Sequence, residues 1–134
     1  ERRLRHWLAF LYFCRGSMLL YGGTEFAPRR QVGLFDADDN FGDKRSDLSD
    51  FLRRCKAMKL ELPLEGAVWY EVSGGTVIGH YKSPAGEVTG VFDLSGEGEA
   101  TVVERADGVY ENQLGGDLTV TDGHIRTDGD PIVF

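Results

Sequence analysis

Glu25, Arg29 and Arg30 follow a short apolar run in "MLLYGGTEFAPRR". Gly22 and Gly23 let the backbone turn between the run and the charges, because a residue without Cβ enters backbone regions closed to others. A carboxylate and two guanidinium groups on one turn can contact a bound ligand, or Glu25 and Arg30 can simply form an ion pair that fixes the loop. Downstream, "DADDNFGDKRSD" (36–47) places Asp36, Asp38 and Asn40 at alternate positions with Asp47 twelfth, as in a calcium loop. Phe41 occupies the sixth position, where the loop needs glycine, and no helix is expected before it; the stretch reads as a solvated acidic loop. His6, His80 and His124 fall on separate elements without ligand spacing, so no metal site is expected. Neither a Gly-x-Ser-x-Gly elbow nor a phosphate-cradling glycine pattern occurs. Trp69, Tyr70 and Tyr81 could form an aromatic ligand platform, but aromatics on such strands are read first as core.

These groups need elements to position them. The chain has 134 residues, enough for one domain with a buried core. Hydrophobic residues at 41% and charged residues at 28% are globular proportions, which argues against disorder. Fifteen basic against 22 acidic residues leave a net charge of -7, the wrong sign for a surface that neutralises phosphates, so no nucleic-acid partner is expected. Cys14 and Cys55 lie in helix-like stretches and read as reduced, buried thiols, and the cytoplasm is the favoured compartment. The leading "ERRLRHWLAFLYFC" has basic residues before an apolar run. It lacks a cleavage site and is shorter than the roughly 20 apolar residues a membrane span needs. The first residue, Glu1, is expected to be a cut point within a longer chain.

The sequence changes grammar near residue 60. Leu4, Trp7, Leu8, Leu11, Phe10 and Cys14 recur at helical spacing, with Gly16 as the stop. Met18 to Tyr21 is predicted to be a short strand of the type buried in a parallel sheet. A second helix is predicted from Ser46 or Asp47, carrying Leu48, Phe51, Leu52, Cys55 and Met58. Beyond it, "AVWYEVSGGTVIGHYKSPAGEVTGVFDLSG" reads as three strands joined by Gly-Gly and Pro-Ala-Gly turns. Further short strands follow, with Asp122-Gly123 a tight hairpin turn. The fold class is therefore mainly β: an antiparallel β-sandwich over 60–134, preceded by an α/β segment over 1–59 that has too few strands for a domain of its own.

The order helix, strand, glycine-rich loop, helix, sandwich resembles the end of an α-amylase-superfamily glycoside hydrolase (family 13). In that family the last barrel strand reads Gly-x-Pro-x-x-Tyr-x-Gly-x-Glu. Gly16, Tyr21, Gly23 and Glu25 fall in register in "GSMLLYGGTE", with Met18 in place of proline. "VGLFDADDNFGD" and "LSDFLRRCKAMK" resemble the approach to the last barrel helix and that helix, and the remainder resembles the accessory domain C. The resemblance implies that residues 1–59 are a remnant of a (β/α)8 barrel. Glu25, Arg29 and Arg30 would then lie on the substrate rim, where such barrels bind their ligands. It also implies that the parent acts on an α-glucan or oligosaccharide, with the rest of the barrel as partner and without cofactor. Glycoside hydrolysis needs two carboxylates, about 5–5.5 Å apart in retaining enzymes. In the family these come from earlier strands, so no catalytic residue is expected here. Residues 4–21, bared of barrel neighbours, are expected to hold the chain in a dimer or larger assembly, although they could instead dock onto the sandwich. The alternative is a stand-alone carbohydrate-binding or protein-interaction sandwich beginning near residue 60.

Overall fold

The computed structural model describes residues 1–28, 44–98, 100–127 and 129–134. Helix α1 spans Arg2–Phe13 and α2 spans Ser49–Glu61. A one-turn 3-10 helix at Thr24–Phe26 lies between them. Eight strands follow: β1 Ala67–Ser73, β2 Thr76–Ser83, β3 Gly86–Asp93, β4 Ala100–Val102, β5 Gly108–Glu111, β6 Asp117–Val120, β7 His124–Arg126 and β8 Ile132–Val133.

All the described pairings are antiparallel, as expected. A four-stranded sheet has the order β1-β2-β3-β8, and two ladders, β4-β7 and β5-β6, form the layer opposite. The period of two then assigns the faces. Ile78 and Val91 point with Val103, Leu118, Val120, Ile125, Ile132 and Phe134 into the sandwich core. Tyr81, Phe92 and Val133 point the other way, into a second core with Leu8, Ala9 and Phe13 of α1 and Phe51, Cys55 and Met58 of α2. The sheet is thus a middle layer, helices on one side and strands on the other. This explains why β2 and β3 are buried except toward the turn that joins them, while β1, an edge strand, is mostly exposed.

The Asp122-Gly123 turn has positive φ at both residues (52° and 69°), the type I′ geometry that suits the twist of a tight hairpin. The predicted strand at Met18–Tyr21 is not formed. These residues have no strand partner, and Leu19 and Tyr21 are exposed. A parallel strand exists only through its neighbours, and the described residues supply none. Helix α2 begins at Ser49, two or three residues after the predicted start, while the Asp47 carboxylate accepts the Ser49 N–H at 2.9 Å. The buried strip of α1 is His6, Leu8, Ala9 and Phe13; Trp7 and Leu11, expected to face inward, stay exposed. The helix is apolar around a wide arc, and only one strip of it can meet the sheet.

Candidate functional site

The turn that carries Glu25 is built from backbone geometry. Gly23 has φ 92°, a left-handed conformation that tells against any side chain, and it starts the 3-10 turn carrying Glu25. The Glu25 carbonyl accepts the Leu48 N–H at 2.7 Å, and the Phe26 carbonyl accepts the Arg45 N–H at 3.1 Å. Lys44 places its ammonium 4.2 Å from the Phe26 ring centroid. The turn is thereby stitched to the entry of α2, and Glu25 is half-buried on it. Arg29, Arg30 and the acidic stretch up to Asp43 lie outside the described residues, so the structure brings no pair of the expected rim residues together.

Among the described residues three carboxyls have shifted titration, and all three are shifted downward. The Ser49 side chain and N–H hold Asp47 low. The N–H groups of Gly123 and Asp122 hold Asp107 low, at 2.9 and 2.8 Å. For Asp93, burial acts to raise the carboxyl. Hydrogen bonds from Ser95 (2.7 Å), Gly96 N–H (2.8 Å) and Gly98 N–H (2.9 Å), with Arg2 at 3.2 Å, outweigh it and leave the group below its usual range. A general acid requires the opposite shift. These three carboxylates organise a helix start, a hairpin and a loop.

Trp69 lies at the open edge of β1, its ring stacked on His80 with centroids 4.8 Å apart, and His80 Nε2 is 3.1 Å from Glu71. Tyr70 is also part-exposed, edge-on to Phe10 at 6.0 Å. Of the three aromatics read as core, only Tyr81 is fully inside; an edge strand covers its side chains on one side only. An open groove of about 540 Å³, lined by Asn112, Asp117, Thr119, His124, Arg126 and Asp130 among others, runs beside β6 and β7. Among the described residues no cluster of three or more His, Cys, Asp or Glu is placed to hold a metal ion, and no helix is long and apolar enough to cross a membrane. Cys14 and Cys55 are both free thiols; Cys55 is buried, whereas Cys14, at the end of α1, is partly exposed.

The densest polar construction lies where α1 meets the sandwich, and the sequence reading missed it. Arg2 donates to the Thr127 carbonyl (2.9 Å), the Gly96 carbonyl and Asp93. Arg3 donates to the Leu94 carbonyl at 2.9 Å. From the end of α2, Lys59 donates to the carbonyls of Tyr12 (3.0 Å) and Cys14 (2.7 Å), closing the C-terminus of α1. Isolated glycines inside two strand patterns, Gly79 and Gly90, were the available signal of a close approach to the sheet.

The geometry has counterparts among known proteins. Residues 70–134 match the family model described as the bacterial α-amylase C-terminal domain. The whole fold is similar to the crystal structure of an α-amylase from Lactobacillus plantarum, with TM-score 0.86 and 28% identity over 99% of this chain and 32% of that one. It is similar in fold to a noncanonic maltogenic α-amylase from Thermotoga neapolitana, with TM-score 0.63 and 13% identity over 99% of this chain and 36% of that one. The chain thus spans about a third of the length of each. Nothing matches among curated proteins.

Proposed function

We propose, from the premise that residues 70–134 are a C-terminal domain of the α-amylase type, that this chain completes a glycoside hydrolase acting on α-glucosidic bonds. One observation carries the reading. The likeness to the Lactobacillus plantarum α-amylase extends over 99% of this chain, so it includes both helices as well as the sandwich. In this reading residues 1–59 close the catalytic barrel, residues 60–134 are its accessory sandwich, and the rim turn with Glu25, Arg29 and Arg30 faces the glucan. The catalytic carboxylates come from the preceding part of the enzyme, and this portion contributes framework and substrate contacts. The core shared by α1, α2 and the sheet supports this reading over a self-contained module starting near residue 60, because such a module would leave Tyr81, Phe92 and Val133 uncovered.

The test has two arms. The 134-residue chain alone should release no reducing ends from starch or maltooligosaccharides. The coding sequence upstream should supply barrel strands bearing an aspartate nucleophile and a glutamate acid. Turnover by the pure chain, abolished by substituting an acid within it, would overturn the reading, as would an upstream sequence without barrel strands.

A further inference from the structure

His6 is fully buried in the seam between α1 and the sandwich, 0% exposed. Its two ring nitrogens face different partners. The main-chain N–H of Asp93 donates to Nδ1 at 2.9 Å, so Nδ1 carries a lone pair. Nε2 lies 3.0 Å from the Gly129 carbonyl, which only accepts, so Nε2 carries the hydrogen. The seam therefore selects one neutral tautomer of the imidazole. An imidazolium is a donor at both nitrogens, and at Nδ1 it would point a hydrogen at the Asp93 N–H.

We propose that His6 is an acid-sensitive latch, joining α1 to the sandwich as a neutral imidazole and releasing it when protonated. The two bonds fasten the helix to the end of β3 and to the loop before β8, and protonation removes one while placing a cation in a buried site. The charges around the ring do not offset this. Burial is the largest influence and lowers the pKa of His6, outweighing the hydrogen bond to the Gly129 carbonyl, which acts to raise it. On α1, Arg2 lowers it further; Asp93 at the end of β3 and Asp130 before β8 act the other way. Both carboxylates are already engaged: Asp93 with Ser95, Gly96, Gly98 and Arg2, and Asp130 with Arg5 at 3.8 Å. Arg5 also contacts Glu1, and Arg3 on the same turn of the helix donates to the Leu94 carbonyl.

The direction of the effect follows from linkage. With the folded-state pKa below the unfolded value of about 6.5, the unfolded or undocked chain binds the proton more tightly. The contribution of His6 is complete above that value. It falls as pH drops below it, by up to about tenfold in the docking equilibrium per pH unit, until the folded pKa is reached. Carboxylates with lowered pKa, Asp93 included, act only in the more acidic range below their own usual value.

Hydrogen exchange tests the latch. Protection of the α1 amides, corrected for intrinsic exchange, is measured from pH 7.5 to 5.0 in the 134-residue chain and in a His6→Asn variant. The asparagine oxygen can accept the Asp93 N–H but does not titrate. Wild-type protection should fall severalfold more than that of His6→Asn over this range, and equal falls would overturn the proposal. Should His6→Asn not fold, nitrogen NMR of the wild-type imidazole decides. Retention of the Nε2–H tautomer well below pH 6.5 supports the latch, and protonation of Nδ1 at or above 6.5 overturns it.

Discussion

Tyr81, in the middle of β2, donates its phenolic hydrogen to the main-chain carbonyl of Phe13, the last residue of α1, at 2.6 Å. The contact does two jobs. It satisfies a carbonyl that has no partner inside its own helix, and it gives a buried hydroxyl somewhere to donate. Phe13 meets the same ring edge-on, with centroids 4.9 Å apart. Tyr81→Phe keeps the packing and leaves the carbonyl bare, so it should cost about 1–2 kcal/mol in a urea titration. Phe13→Ala removes the ring itself and should cost about 3–5 kcal/mol. If Tyr81→Phe proves neutral, the hydroxyl contributes nothing net to docking α1.

Gly79 and Gly90 are partners across β2 and β3, and together they leave a notch for the Phe13 ring. A Cβ on Gly79 would overlap Phe13; one on Gly90 would come within 2.6 Å of Phe92 and 2.9 Å of Phe13. Gly79→Ala is therefore expected to destabilise by at least about 1–3 kcal/mol, although alanine suits a strand better than glycine. Combining it with Phe13→Ala should cost less than the sum of the two, because the cavity made by one substitution accepts the methyl of the other. A thermal-unfolding double-mutant cycle showing simple additivity would contradict the notch.

Burial pushes the Cys55 thiol up to about 12 from its ordinary 9.0. The unfolded chain then releases this proton first, and stability should fall as pH rises above about 9, by up to about 1.4 kcal/mol per pH unit from this group. Tyr12, Tyr70 and Tyr81, all raised by burial, add to the loss above about pH 10. The check is urea midpoints at pH 8 and 9.8 in wild type and Cys55→Ala, where the tyrosine contribution is common to both and cancels in the difference. The variant should start less stable and show the shallower decline.

A chain beginning at residue 60 should keep its hairpins but lose the cover over Tyr81, Phe92 and Val133. It is expected to bind a hydrophobic dye, to unfold at lower denaturant than the 134-residue chain, or to associate through the bared face. A monomeric, dye-silent 60–134 chain of undiminished stability would show that the helices are dispensable.

Local chemistry was readable in the sequence where it acts locally. The turns at Gly74-Gly75, Pro84–Gly86 and Asp122-Gly123 announce their strands because backbone conformation at those residues is set by the residues themselves. Asp47 similarly marks the start of α2. What failed was anything decided by a distant neighbour. Met18–Tyr21 has a strand's composition but no strand beside it among the described residues, and Trp69 is exposed because β1 happens to be an edge. His6 gave no hint at all, since its two partners lie 87 and 123 residues away in the chain. Of the residues expected at a rim, Glu25 lies on a 3-10 turn after the glycines, and Arg29 and Arg30 fall outside the described residues.

Those separations have a consequence for the order of events during synthesis. Helix α1 leaves the ribosome well before the groups that hold it, for Arg2 is held by Thr127, His6 by Gly129 and Arg3 by Leu94. These acceptors follow their donors by 91 to 125 residues in the chain. At roughly 5–20 residues per second the apolar strip of α1 waits on the order of ten seconds for its seat. A helix of this length is marginal alone in water, so through that interval it is a natural client for a chaperone. Stalling translation before residue 127 should leave Leu8 and Phe13 accessible, and releasing the stall should hide them together.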